Sequence, residues 1–454
     1  MDALQHPSPF SPGTADGLLT FALRQARPGQ LDIAPEGDGR TPVPVRPTGR
    51  AVDLPRGLHR LLSGAAYPNG TVPEATPVLR RVLGTIAASG PQRFEVRSAV
   101  NPHRAYPASH CFYTAQVFLL TDGAAWHYDV AGHRLWPVGP GPVGDLEREL
   151  DGTGGAALAV IVHVPSLPLR YRELRWALSL CEAGHLTELL AEVGHAHGLP
   201  VREYPCDGEA LFERLGLDPG DGWIQVGVVG LGTRSTPPEG AAGPVRERGR
   251  SGVAASTSNW AEVLFERSAG RANKGFGAAP GPLPEGVAEA IGPALEQALG
   301  PAPRTPDRGG ADVLLLAQRV PGLDPGCYRV RPGLSPERLG PGPGMEAVQR
   351  AYSYPPTQMD VAGCPAALLF VHDFEAQVAV GGEPLMREAQ RQLGAAAQAV
   401  GMAMTALGVF LRPARSFDPD LLAAAFGLPE ARLPSYLALL GVNRYTDLLL
   451  DVRP

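Results

Sequence analysis

Two kinds of hydrophobic pattern alternate along the chain. Unbroken apolar runs, AALAVIVHVP at 156–165 and GWIQVGVVGLG at 222–232, have the form of strands buried on both faces. CFYTAQVFLLT at 111–121, rich in aromatic and β-branched residues, predicts another strand. PVLRRVLGTIAASG at 77–90 has helical spacing and a terminating glycine. The stretch 173–200 predicts a long helix stopped by Gly198 and Pro200, and shorter helical patches lie at 17–27 and 54–65. Residues 233–259 hold almost no large apolar side chain and read as a linker or mobile loop. The order then restarts, with a helix start near Trp260, strands at 311–320 and 366–374, a long helix at 384–407 and a closing strand at 447–452.

The restart is a repeat. Ala156 and Ala366, Gly184 and Gly394, and Gly198 and Gly408 all stand 210 positions apart. RSAVNPHRAY at 97–106 and RTPDRGGADV at 304–313 each precede a strand, 207 positions apart. His127-Tyr128-Asp129 and Cys327-Tyr328-Arg329 follow at a spacing of 200. A nearly constant offset predicts two copies of one α/β (α+β) unit, packed as a pseudo-two-fold dimer within one chain. The expected division is an N-terminal extension or cap at 1–75, a first unit at 76–232, the linker at 233–259 and a second unit at 260–454.

Composition narrows the chemistry. The 454 residues carry a formal net charge of -6, which argues against a dedicated nucleic-acid binder. Five cysteines are scattered singly, without zinc spacing or a disulfide framework. The opening MDALQHPSPF lacks the basic-then-apolar form of a signal peptide, so a soluble, cytoplasmic protein is expected. The uncharged stretch 393–411 approaches the length of a membrane span, but its Ala/Gly content, Gln398 and Thr405 favour a buried helix. His195 and His197 do not share a helix face, His163 lies in an apolar strand, and no metal site is expected. P-loop, G-x-S-x-G and H-E-x-x-H motifs are absent.

Three motifs in order carry a family resemblance: RSAVNPHRAYP at 97–107, WHYDVAGHRL at 126–135 and RYRELRWALSLCEAGHL at 170–186. Together they resemble the nitroreductase-like flavoproteins, specifically the azole-forming peptide oxidases (azoline dehydrogenases) of the microcin, streptolysin and thiopeptide type. FERSAGR at 265–271 resembles that family's opening R-S-x-R, and DRGGA at 307–311 and VPGLDPGCY at 320–328 continue the second copy. The chain departs from the pattern in several places. The family P-S-G-G-A is replaced by Val100 to Arg104, and the family Lys-Tyr by Arg170-Tyr171. The second copy has no Lys-Tyr, and QLGA at 392–395 stands where the first has EAGH. One flavin site drawing on both copies is therefore expected, with its pseudo-equivalent degenerate.

The resemblance implies FMN as cofactor and oxidation of peptide thiazolines or oxazolines to thiazoles or oxazoles, with dioxygen as acceptor. It also implies an azoline-containing precursor peptide and a YcaO-type cyclodehydratase as partners. Arg267, Ser268 and Arg271, placed near a helix start, would hold the phosphate, with Arg444 a further candidate. A solvated helix face is the other reading of these arginines. Arg97, Asn101, His103 and Arg104 would line the flavin edge, or else merely close a turn. Gly184, flanked by Glu182 and His185, would let the ring approach, and Gly394 would match it; tight helix packing explains both equally. Tyr171 is the base that the resemblance implies, with Arg170 beside it to lower the phenol pKa. A plain strand-to-helix junction is the alternative there. Two other functions stay open: desaturation of amino-acid or dipeptide Cα–Cβ bonds by a related flavin oxidase, and a flavin-free scaffold or peptide-binding subunit.

Overall fold

The computed structural model describes residues 43–454 apart from 69–70, 74, 122, 142–145, 147–154, 173, 205–207, 233–245, 248–257, 272–274 and 301–311. The helical patch at 17–27, most of the 233–259 stretch and the repeat landmark at 304–311 lie outside the described residues. The first half runs β1 (Val52–Asp53), α1 (Val78–Ala87), β2 (Pro91–Glu95), β3 (His103–Arg104), β4 (Ala115–Leu120), β5 (Ala125–Asp129) and β6 (Arg134–Val138). It continues through β7 (Gly155–His163), α2 (Leu174–Ala196), β8 (Val201–Tyr204), α3 (Gly208–Leu215), β9 (Trp223–Gly232) and β10 (Arg246–Glu247). The second half runs α4 (Trp260–Glu266), α5 (Val287–Leu299), β11 (Asp312–Ala317), β12 (Gly326–Val330), β13 (Glu337–Gly340) and α6 (Gly344–Ala351). Then come β14 (Ala366–Asp373), α7 (Phe374–Ala406), β15 (Phe410–Ala414), α8 (Pro419–Phe426), β16 (Arg432–Gly441) and β17 (Leu449–Asp451).

These strands form three antiparallel sheets. The eight-stranded sheet has the order β1-β6-β5-β4-β7-β9-β8-β10, and the six-stranded sheet the order β13-β12-β11-β14-β16-β15. Without the edge strands β1 and β10, the first order is the second one repeated, so the duplication read from the landmarks is visible in topology. β10 falls inside the 233–259 stretch and pairs with β8, so part of that stretch is sheet edge rather than linker. β7 and β14 sit centrally, each hydrogen-bonded on both sides, which is why their sequences are apolar without alternation.

The two units meet through their longest helices. In α2 every residue except Arg175, Trp176, Leu178 and His195 is buried, and residues 393–404 of α7 are all buried. That explains the uncharged stretch: among the described residues no helix is long and apolar enough to cross a membrane. Gly184 and Gly394 mark the crossing point. A Cβ on Gly184 would overlap the Arg391 carbonyl oxygen, and one on Gly394 would overlap the Cys181 carbonyl oxygen. The second repeated pair, Gly198 and Gly408, ends the two helices in the left-handed region, with φ of 72° and 74°. α7 itself contains a break at Gly382 (φ 58°), so its 384–406 segment is the counterpart of α2.

A third sheet, β17-β2-β3, ties the halves together a second time. Leu449, Leu450 and Asp451 pair with Glu95, Phe94 and Arg93. The closing strand expected at 447–452 therefore completes the first unit, not its own. The 54–65 patch forms a short 3-10 helix, Leu58–Leu62, whose buried Leu58 and Leu62 join the first unit's core.

Candidate functional site

β2 looks polar in sequence, yet its Arg93 is almost fully buried. Arg93 makes four hydrogen bonds: Nε and Nη2 donate to Glu95 at 2.9 and 2.7 Å, and Nη1 donates to the carbonyls of Phe265 and Arg267 at 2.6 and 2.7 Å. Those carbonyls end α4. Arg267 and Ser268 thus lie at the C-terminal end of a helix, not near a start, and helix N–H groups add nothing to an anion there. The reading of Arg267 and Arg271 as a solvated helix face also fails, because Arg267 is buried and Arg271 is mostly so.

What the site has instead is a buried group of guanidiniums. Arg267 Nη2 donates to the Arg104 carbonyl at 3.0 Å, while its Nε and Nη1 are buried without an acceptor. Burial, then the charge of Arg93, pulls its pKa down to about 10. Arg104 packs over the Tyr113 ring at 4.0 Å and donates to the Tyr106 hydroxyl at 2.8 Å, and its Nε also lacks an acceptor. Arg271 lies 3.5 Å from Glu266, with a third orphaned Nε. Among the described residues, neither Arg104 nor Arg267 has a carboxylate ion-pair partner. Buried donors without acceptors are costly, and an anion would satisfy them. The donor set therefore fits a phosphate group such as that of FMN.

The remaining expected residues separate into groups. His103 lies 3.6 Å from Glu95 and 3.8 Å from the Cys111 sulfur, and burial pushes its pKa down to about 4, so its ring is neutral at pH 7. Asn101 is spent on its own loop, accepting from Glu95 N–H at 2.8 Å and donating to the carbonyls of Glu95 and Ser98. Ser268 accepts from the Gly270 N–H at 3.1 Å. The Arg97 side chain is exposed, its backbone N–H held by Asp447 at 3.1 Å. Arg444 is exposed and lies over its own neighbour Tyr445. Gly184 and Gly394 occupy the helix crossing described above. Glu182 is buried, accepting from Ala115 N–H at 2.8 Å and bonding Thr114 at 3.2 Å; burial pushes its pKa up to about 7. His185 bonds Tyr436 across the units at 2.9 Å, and burial lowers its pKa to about 3.

Arg170 and Tyr171 lie in an aromatic group that the motifs did not single out. Tyr171 meets His110 and Phe112 edge-on, at 6.3 and 6.5 Å between ring centroids, and Arg170 lies over Phe112 and Tyr171 at 5.7 and 5.4 Å. The Tyr171 pKa is raised, not lowered: burial outweighs the Arg170 contact. At neutral pH Tyr171 is a phenol that can donate a proton. His110 has the opposite character. Burial, Arg170 and the second unit's Arg412 lower its pKa, leaving a neutral imidazole able to accept one. His110, Cys111 and Tyr113 take positive φ values of 47°, 57° and 50°, a strained turn costing about 1–3 kcal/mol per residue. The sequence signal for this turn was weak: a Ser-His-Cys segment just ahead of a strand.

Among solved structures, a protein described as a nitroreductase from Anabaena variabilis matches 94% of this chain and 99% of its own, with a TM-score of 0.68 and 15% identity. The chain has the nitroreductase fold. Shorter matches include a Ralstonia eutropha protein described as a nitroreductase (19% identity, 41% of this chain, 83% of that one, TM-score 0.30). Another is a chain of the Escherichia coli microcin synthetase complex with truncated pro-microcin bound (16% identity, 31% of this chain, 59% of that one, TM-score 0.27). No family model matches the sequence, and no curated protein does. The Anabaena match extends across both units, so the two-unit nitroreductase arrangement is not peculiar to this chain.

Proposed function

We propose that this chain is an FMN-dependent oxidoreductase acting on azoline rings of a ribosomally made peptide, beside a YcaO-type cyclodehydratase. The observation that carries the FMN reading is the set of buried, acceptor-less N–H groups on Arg104, Arg267 and Arg271. These residues, with Arg93 bracing the backbone beneath them, would hold the phosphate. Bound FMN would supply a hydride acceptor; the chain's own side chains would position the substrate and move its proton. The azoline substrate class rests on the motifs at 97–107, 126–135 and 170–186.

In this reading the His110, Phe112 and Tyr171 rings form an aromatic wall for a flat heterocycle. Conversion of an azoline to an azole removes one ring hydrogen as a proton and its neighbour as hydride. The neutral His110 imidazole takes the proton, and Tyr171, a phenol at neutral pH, hydrogen-bonds the ring nitrogen. Denaturing release of bound cofactor, with mass identification, tests the FMN reading. One FMN per chain supports it; colourless protein that still binds partner subunits shifts it to the scaffold reading. Loss of two hydrogens from a thiazoline peptide, against a dipeptide control, separates azoline oxidation from Cα–Cβ desaturation.

A further inference from the structure

Three side chains beside the arginine cluster line up as nucleophile, base and orienting carboxylate. Cys111 is half-buried and carries a free thiol. Its sulfur lies 3.8 Å from His103 Nδ1, and His103 Nε2 lies 3.6 Å from Glu95 Oε2. Glu95 divides its oxygens. Oε1 accepts both Arg93 bonds, at 2.9 and 2.7 Å, and Oε2 faces the imidazole. A carboxylate there favours the tautomer protonated on Nε2, which leaves the Nδ1 lone pair for the thiol proton. Cys111 has no part in the flavin reading.

The protonation states suit proton transfer during attack, not a preformed ion pair. Burial raises the Cys111 pKa, against the pull of Tyr113, Arg267 and Arg104. Burial also holds the His103 pKa at about 4, against the charge of Glu95. The resting pair is a neutral thiol beside a neutral imidazole, and the base takes the proton as the sulfur attacks. Cys111 itself has a φ of 57°, in the strained turn described above. The surroundings of the sulfur set the class of electrophile. Arg267 is 5% exposed, and its Nε and Nη1 have no acceptor; Arg104 Nε has none either. Arg104 lies 4.0 Å over the Tyr113 ring, and the Tyr113 hydroxyl reaches the Cys111 thiol. An anionic electrophile would satisfy these donors. Attack on a disulfide sulfur develops no oxyanion, so it needs only a base and the return of one proton.

We propose that Cys111 forms a mixed disulfide with a small anionic disulfide whose carboxylates sit on Arg104 and Arg267. The thiol proton passes to His103 Nδ1, the new S–S bond forms as the old one breaks, and His103 returns the proton to the leaving thiolate. The disulfide is the two-electron oxidant, and one free thiol leaves per adduct. The proposal shares its anion site with the FMN reading, so the adduct and the FMN phosphate exclude one another. Full-length chain freed of flavin is mixed with oxidised glutathione, neutral bis(2-hydroxyethyl) disulfide or cationic cystamine. Peptide mass spectrometry follows each adduct at Cys111, with the same chain in urea as the reference. Relative to urea, the folded chain should favour glutathione over cystamine at least about tenfold. His103→Asn should slow the glutathione and neutral disulfides at least about tenfold, with an unchanged thermal melt. Added FMN should slow glutathione at least about fivefold. Equal preference for glutathione and cystamine overturns the proposal, as does an unaltered rate in His103→Asn or FMN that binds without slowing Cys111. Adducts at Cys111 no faster than at the buried Cys181 and Cys364 overturn it on the wild type alone. Fast Cys111 in a chain that releases no FMN overturns the FMN reading only, and an inert Cys111 in a chain that released FMN overturns this proposal only.

Discussion

At the scale of single residues, Arg267 decides whether the buried cluster is a ligand site. A charge-assisted hydrogen bond is worth about 1.5–3 kcal/mol. Arg267→Ala should therefore weaken FMN binding roughly ten- to a hundredfold, with Arg267→Lys intermediate because it keeps the charge and loses the fork; fluorescence titration of apoprotein with FMN measures both. His110→Ala should leave FMN content intact and lower kcat by about 10²–10⁴, the range of a positioned base; rapid-mix turnover on a thiazoline peptide reads this. Glu182 sets a third expectation. Its carboxyl ionises near 4.5 in the unfolded chain and near 7 in the fold, so the unfolded state holds fewer protons between those values. Glu182 therefore costs stability as pH rises from about 4.5 to 7, and the cost is constant above. The buried histidines work the other way: His185 and His103, lowered to about 3 and 4, cost stability as pH falls below 6.5. Glu182→Gln should cancel only the first effect, so its melting temperature should gain on the wild type between pH 5 and 7 and then run parallel. The family resemblance of FERSAGR and RSAVNPHRAYP pointed to Arg267 and Arg104, but no pattern announced His110 or Arg93. Each derives its state from neighbours distant in sequence.

At the scale of elements, the apolar strands and the two long helices were legible because burial on all sides leaves an uninterrupted signal. Gly184 and Gly394 were legible as a pair but ambiguous in purpose, and the helix crossing accounts for both. Gly184→Ala or Gly394→Ala drives a methyl group into a backbone carbonyl that has no rotamer with which to yield. Each should cost about 2–4 kcal/mol in urea unfolding. The double variant should cost less than the two together, because one separation of the helices relieves both clashes. β2 was illegible for the opposite reason. PQRFE alternates weakly, and its partners, β3 and β17, are a two-residue strand and a strand some 350 positions away.

At the scale of the whole molecule, the duplication is used asymmetrically. Strand order is repeated, but Arg170 and Tyr171 of the first unit are matched by Val380 and Gly381 in the second. β17 adds an asymmetry of connection, since the end of the second unit is a strand of the first unit's small sheet. Removal of residues 447–454 should lower the melting temperature by several degrees and release bound FMN, because β2 carries Arg93 and Glu95, which brace the cluster. Differential scanning calorimetry with absorbance of the retained chromophore checks both. The pairing also orders events during synthesis. A nascent chain that has finished the first unit still has one edge of β2 bare, and it stays bare until the ribosome has passed residue 451. Arg93 waits until residue 267 for the carbonyls of Phe265 and Arg267, so a translation pause between the units leaves a buried-to-be charge in water and an open strand edge for a chaperone to cover.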